Sequence, residues 1–135
     1  MITAIDTSVL LDLFADDPLF CDRSLDAIRR SLAEGPLVAC DVVWAEVISA
    51  FPDQAAGEAA LAHLPVVFSG TSQVAATKAG IAWRAYRQAG GPRERLMTDF
   101  VVGAHALEHA DRLLTRDRGF QRAAFTDLTI IDPSR

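Results

Sequence analysis

Three observations predict an α/β domain built around a parallel sheet. Short apolar runs of strand length recur along the chain, at Ile2 to Asp6, Pro36 to Cys40 and Leu113 to Thr115, with Leu128 to Ile131 as a fourth candidate. Stretches with apolar residues at helical spacing lie between them, as Leu25, Ile28 and Leu32 show, and later Val74, Ile81 and Ala85. Punctuation at Asp16-Asp17-Pro18, Gly35-Pro36, Pro52-Asp53, Pro65, Gly70, Gly90-Gly91-Pro92 and Pro133 then cuts the chain into pieces of strand or helix length. Strands alternating with helices, each strand apolar enough to be covered on both faces, imply a parallel sheet.

Taken in order, Ile2 to Asp6 reads as a buried strand, and Asp6 before Thr7-Ser8 stands where a helix cap would stand. The Leu25-Ile28-Leu32 face predicts the next helix, and Pro36 to Cys40 the second strand. Asp41 is placed to cap the helix that carries Glu46, and Thr71 or Thr98 to cap the later ones. Asp99 falls in the first turn of the last long helix, where an acid also gains from the helix dipole. Leu113 to Thr115 is a strand with Asp117 just beyond it.

Composition narrows the function classes. The chain has 135 residues, half of them apolar and 23% charged, which suits one domain over residues 1–135 with a core large enough to stand without disulfides. Cys21 and Cys40 form no CxxC, in keeping with a reducing cytoplasm. The opening residues lack a basic targeting segment, and the longest uncharged stretch, Ala59 to Thr77, is broken by Pro65 and Gly70, so no membrane span is expected. A net charge of −5 is the wrong sign for binding nucleic acid through a broad basic face, yet twelve of the thirteen bases are arginine, whose planar fork grips phosphate locally.

In a parallel α/β sheet, ligands bind in the crevice at the carboxyl ends of the strands. The residues that should reach it are Asp6, Glu46, Asp99 and Asp117, all acidic. Each has a plain reading on its own: Asp6 and Asp99 as helix-end acids, Glu46 as part of a polar helix face. Together and without basic partners they would repel one another, and a hard divalent cation resolves that conflict. Magnesium or manganese held by carboxylates points to metal-assisted hydrolysis of a phosphate ester.

The motifs Ile5-Asp6-Thr7-Ser8-Val9-Leu10-Leu11, Val43-Trp44-Ala45-Glu46-Val47, Thr98-Asp99-Phe100 and Leu114-Thr115-Arg116-Asp117-Arg118-Gly119-Phe120 occur in the order found in PIN-domain nucleases, which the chain resembles over nearly its whole length. It is most similar to the VapC toxins of type II toxin–antitoxin systems. The resemblance implies a PIN-like α/β/α sandwich with a central, mostly parallel sheet of four to five strands. It also implies endonucleolytic RNA cleavage with Mg²⁺ or Mn²⁺, a homodimer, and a VapB-like antitoxin partner. Asp6, Glu46, Asp99 and Asp117 would then be the catalytic and metal-binding acids, with Thr7, Ser8 and Thr115 as orienting hydroxyls. Arg93, Arg95, Arg116 and Arg118 would be candidates for RNA phosphate contacts. Gln121 stands where an aromatic residue is usual, a departure that bears on substrate contacts.

Rival readings rest on less. His105-Ala106-Leu107-Glu108-His109 fits the HxxEH pattern of inverted zinc peptidases but offers no third ligand in a second helix, so both histidines read as a solvated helix face. A phosphotransferase using Asp6 as nucleophile would need a second acid where Ser8 stands. An RNA-processing nuclease without an antitoxin, and a non-enzymatic protein-binding module, are the alternatives to a toxin. Asp12, Asp16, Asp17, Asp22 and Asp26 read as surface residues.

Overall fold

The computed structural model describes residues 1–92 and 95–134. Its elements run β1 (Thr3–Ile5), α1 (Thr7–Phe14), α2 (Cys21–Glu34), β2 (Leu37–Cys40), α3 (Asp41–Ser49), α4 (Gln54–Ala62), β3 (Val66–Ser69), α5 (Gln73–Gln88), α6 (Met97–His109), β4 (Arg112–Leu114), α7 (Arg118–Ala124) and β5 (Ile130–Ile131). The sheet has five strands in the order β3-β2-β1-β4-β5, and every pairing is parallel. β1 is central and wholly buried, and its neighbours β2 and β4 are more buried than the edge strands β3 and β5. The chain winds outward from β1 to β2 and β3, then returns to β4 on the other side, so the switch point falls between β1 and β4.

Helices flank this sheet, with α1 against α2, α3 against α4, and α5 against α6. The core joins Ile5, Leu37, Leu113 and Leu114 of the strands to Val9, Leu10, Ile28, Val43, Val47 and Phe100 of the helices. No described helix is long and apolar enough to cross a membrane.

Several expectations need correction. β3 and α4 carry no signal strong enough to announce them, since β3 is a half-exposed edge strand whose Val67 and Phe68 face outward. Val74 and Ile81 do not form the buried face of α5. They are 55% and 53% exposed, and the buried positions are Ala75 and Ala79, small residues that let α5 approach α6 closely. Ser72, not Thr71, caps α5 by accepting from the Ala75 amide at 3.1 Å. Thr98 lies inside α6, which begins at Met97. Asp41 opens α3 from inside its first turn, with Cys40 at the cap position.

The surface assignment fails for Asp12, which is only 4% exposed. Its carboxylate accepts a two-pronged pair from Arg116, Nε to Oδ2 and Nη2 to Oδ1, each at 2.9 Å, and a third hydrogen bond from Ser24 Oγ at 3.0 Å. Asp22 and Asp26 are exposed as read. Asp17 orders its own turn by accepting from the amides of Leu19 and Phe20.

Candidate active site

At the carboxyl ends of β1 and β4, Asp6 is the first residue past β1. Thr115 and Asp117 follow β4, and the Asp6 amide donates to the Leu114 carbonyl at 3.0 Å, locking the two strand ends together. Thr115 Oγ1 donates to Asp6 Oδ2 at 2.7 Å and accepts the Asp117 amide at 3.0 Å. One hydroxyl therefore sets the spacing of two acids. Asp6 Oδ1 accepts the Thr7 amide at 2.8 Å, the cap contact that starts α1. Thr7 Oγ1 reaches across to Glu46 Oε1 on α3 at 2.9 Å, so the first residue of α1 ties two acids as well.

Asp99 sits in the first turn of α6 and accepts the Leu96 amide at 2.9 Å. Asp117 precedes α7 and is paired with Arg95. Each of the four carboxylates is thus turned toward a protein donor. In that arrangement no three acid, histidine or cysteine side chains among the described residues come close enough to enclose a metal ion together.

The charges nevertheless act on one another. Burial pushes the Asp6 carboxyl above its ordinary range, the hydrogen bonds from Thr115 and Thr7 oppose this, and the nearby charges of Asp117 and Glu46 raise it further. Asp117 is also raised, again by burial, with Arg95 pulling it down and Asp99 pushing it up. The electrostatic chain Glu46, Asp6, Asp117, Asp99 joins all four acids picked out by the sequence. Ser8 Oγ, on the residue after Thr7, is buried without a hydrogen-bond partner. An orphaned hydroxyl beside a self-repelling acid cluster fits a site completed by a hard cation and its waters.

The arginines divide. Arg95 belongs to the site, paired with Asp117 and stacked 4.3 Å from the Phe120 ring centre. Arg116 does not point to substrate: it is held by buried Asp12 and lies 4.2 Å over the Phe20 ring. Arg118 pairs with Asp132 at 3.3 Å. Arg93 lies outside the described residues.

Gln121 is no substrate contact. It is 1% exposed, and its Nε2 donates to the Asp99 carbonyl at 3.1 Å, bracing the first turn of α6. The histidines are likewise not a solvated face. His105 is 1% exposed, with Nε2 at 2.9 Å from Ser69 Oγ, and His109 Nε2 is 2.9 Å from Ser72 Oγ. They tie α6 to the end of β3 and to the cap of α5. Burial and the neighbouring His109 push the His105 imidazole below its usual range, which suits a neutral structural histidine. Sequence reading missed Asp12, although an acid amid Val9, Leu10, Leu11, Leu13 and Phe14 is a recognisable sign of a buried, paired carboxylate.

Comparison with known proteins decides the family. The PIN domain family model matches residues 3–126. The chain belongs to the PIN domain family. PIN domains are nucleases, and the crevice described above is where this PIN domain gathers its acids. Its fold is similar to that of VapBC2 from Rickettsia felis, solved bound to a DNA fragment from its promoter, at 17% identity, 98% coverage of both chains and a TM-score of 0.77. VapBC-1 from nontypeable Haemophilus influenzae is 20% identical over the full length of both chains, also with a TM-score of 0.77. A toxin–antitoxin complex from Klebsiella pneumoniae is 20% identical over 97% of each chain, with a TM-score of 0.69. At these identities the likeness establishes the fold. No curated protein matches the chain at a significant level.

Proposed function

We propose that this PIN domain is a Mg²⁺- or Mn²⁺-dependent endoribonuclease acting as the toxin of a VapBC-type pair. The observation that carries the reading is the placement of four acids at the switch point of the sheet, where Thr115 ties Asp6 to Asp117, Thr7 ties Asp6 to Glu46, and Asp99 opens α6 beside them, in a chain of this family. These four acids would hold the metal. When bound, such an ion polarises a phosphoryl oxygen and acidifies a water.

The protein's own part is positional. Thr115 fixes Asp6 against Asp117, and Thr7 fixes Asp6 against Glu46 through its amide and its hydroxyl. Leu96 and Gln121 hold Asp99 and its backbone at the start of α6. Arg95 has an alternative partner once a cation neutralises Asp117, because a phosphodiester oxygen offers the same charge-assisted hydrogen bond.

Cleavage of total RNA by purified protein in Mg²⁺ or Mn²⁺, and its loss in excess EDTA, tests the metal-dependent part of the reading. Undiminished protein-borne cleavage in EDTA would sink it. Partnership with an antitoxin is supported by similar folds that were solved as VapBC and toxin–antitoxin complexes. A basic side chain from such a partner would replace metal or substrate charge at the acids. Co-expression with an adjacent small open reading frame should restore growth that the chain alone arrests, whereas absence of arrest points to a processing nuclease without an antitoxin. Homodimerisation has apolar surface available in Val74 and Ile81 of α5, and sedimentation of Ile81→Asp against the parent protein tests it.

A further inference from the structure

Beside the acids, α5 together with Gly91, Pro92, Arg95 and Leu96 lines a groove of about 420 Å³, a size within the roughly 300–1,000 Å³ of small-ligand sites. Its walls are Trp83, Tyr86, Arg87, Pro92, Arg95 and Leu96. Arg95 belongs to both places, lining the groove while pairing with Asp117. A strand whose phosphate lies on the acids can therefore continue into the groove past a single guanidinium.

The walls are set in advance. Trp83 and Tyr86 lie nearly parallel, 16° apart with centres 6.1 Å apart, and both pack on Phe100. Tyr86 donates its hydroxyl to the Pro92 carbonyl at 2.5 Å and accepts the Gly91 amide on its own carbonyl at 2.9 Å. Gly91 lies so close that a Cβ there would fall 2.4 Å from the Tyr86 ring, so only glycine lets the segment close on the aromatic wall. Arg87 sits 5.4 Å from the Trp83 ring centre.

Parallel aromatic rings flanked by two arginines, in a molecule of net charge −5, complement a flat apolar base joined to phosphate. An apolar partner helix would have no use for both arginines. We propose that this groove receives an unpaired nucleobase of the RNA strand next to the scissile phosphate, with Arg87 and Arg95 holding the adjoining phosphates. The proposal deepens the ribonuclease reading and rests on it for the identity of the strand.

The test uses the full chain in EDTA, where binding is measured without cleavage. In a Trp44→Phe background Trp83 is the remaining tryptophan, and its emission is followed while octa-adenylate RNA is added. Quenching is expected, whereas an eight-unit abasic ribose-phosphate chain should leave the emission unchanged. Arg87→Glu, at an exposed position of α5, should weaken half-saturation about tenfold. Trp83→Leu should weaken the anisotropy-measured affinity for labelled octa-adenylate by roughly 5- to 150-fold, the range that base–aromatic stacking supplies. Equal quenching by the abasic chain, no quenching by either, or quenching by a co-expressed antitoxin alone overturns the proposal. The two readings fail separately: metal-dependent cleavage with an unchanged KM in Trp83→Leu removes the groove and leaves the nuclease. Quenching by octa-adenylate in a protein that never cleaves RNA does the reverse.

Discussion

The two ends of the same sheet treat charge in opposite ways. At the amino end, Arg112 donates to Thr3 Oγ1 at 2.9 Å and pairs with Glu34 at 2.6 Å. There the Asp111 carboxylate accepts the Ile2 amide, and the terminal ammonium of Met1 donates to the Glu34 carbonyl at 2.9 Å. At the carboxyl end four acids gather along one edge of the sheet, and Arg95 pairs with Asp117. Glu34 at the amino end is half open to water and yet is paired, so the difference lies in compensation. Paired charges at the amino end serve the fold. At the carboxyl end burial and the neighbouring acids raise the proton affinity of Asp6 and Asp117, a destabilising arrangement that makes sense where a cation from outside is to be bound.

The strongest way to break this contrast is Asp99→Asn. Asparagine keeps the shape and can still accept the Leu96 amide, so RNA cleavage should fall about a thousandfold or more, roughly 4 kcal/mol of transition-state stabilisation, while metal-free stability holds or rises. Side-by-side cleavage assays and thermal melts decide it. An Asp99→Asn protein that cuts RNA normally, or melts much lower without metal, would turn this acid into scaffold. Asp12→Ala should behave in the opposite sense. It strands Arg116 and removes a buried acceptor of three hydrogen bonds, so denaturant unfolding should show a loss of about 3 kcal/mol.

Gly103→Ala probes the brace behind Asp99. A Cβ there would lie 2.2 Å from Gln121 Oε1 and 2.4 Å from the Phe125 ring, and overpacking of this kind costs about 1–3 kcal/mol. Chemical denaturation reads the loss, and Gln121→Ala in the same background should relieve part of it. At the amino end, Arg112→Ala should remove only about 1 kcal/mol, because Glu34 is half exposed and screened by water.

The smallest effect is one of pH. Asp6 and Asp117 bind protons more tightly in the folded chain than in the unfolded one. Their stabilising contribution is therefore full below the ordinary Asp range, about 3.9, and is lost as pH rises through their raised values. Mg²⁺ should then raise the melting temperature more at pH 8 than at pH 5, and differential scanning fluorimetry at both values checks the sign. An equal shift at both would mean the ion does not meet these two carboxylates.

Much of this could be read from the sequence for a physical reason. Fully buried parallel strands leave unbroken apolar runs, and the residues just beyond β1 and β4 inherit the crevice from topology alone, so Asp6 and Asp117 were legible. Glu46 and Asp99 followed because helices start at that same edge. β3 escaped notice because an edge strand need bury only one face, and α5 was misread because its buried side is made of alanine while its larger residues face outward. Side-chain partnerships were the least legible. Nothing local says that Arg116 turns from the crevice to Asp12, or that His105 meets Ser69, since both depend on which elements the fold brings together.

The Asp12–Arg116 pair joins residues 104 positions apart in the chain. Arg116 lies between Thr115 and Asp117, so the geometry of the last motif is anchored from the first helix. The two ends of the gene are therefore not interchangeable parts. A chimera that takes its carboxy-terminal third from one relative and its amino-terminal third from another must carry a matched acid and arginine, or the Thr115-Arg116-Asp117 turn loses its anchor while every acid of the crevice is still present. Recombination among such domains should accordingly respect this pairing even where the rest of the sequence drifts.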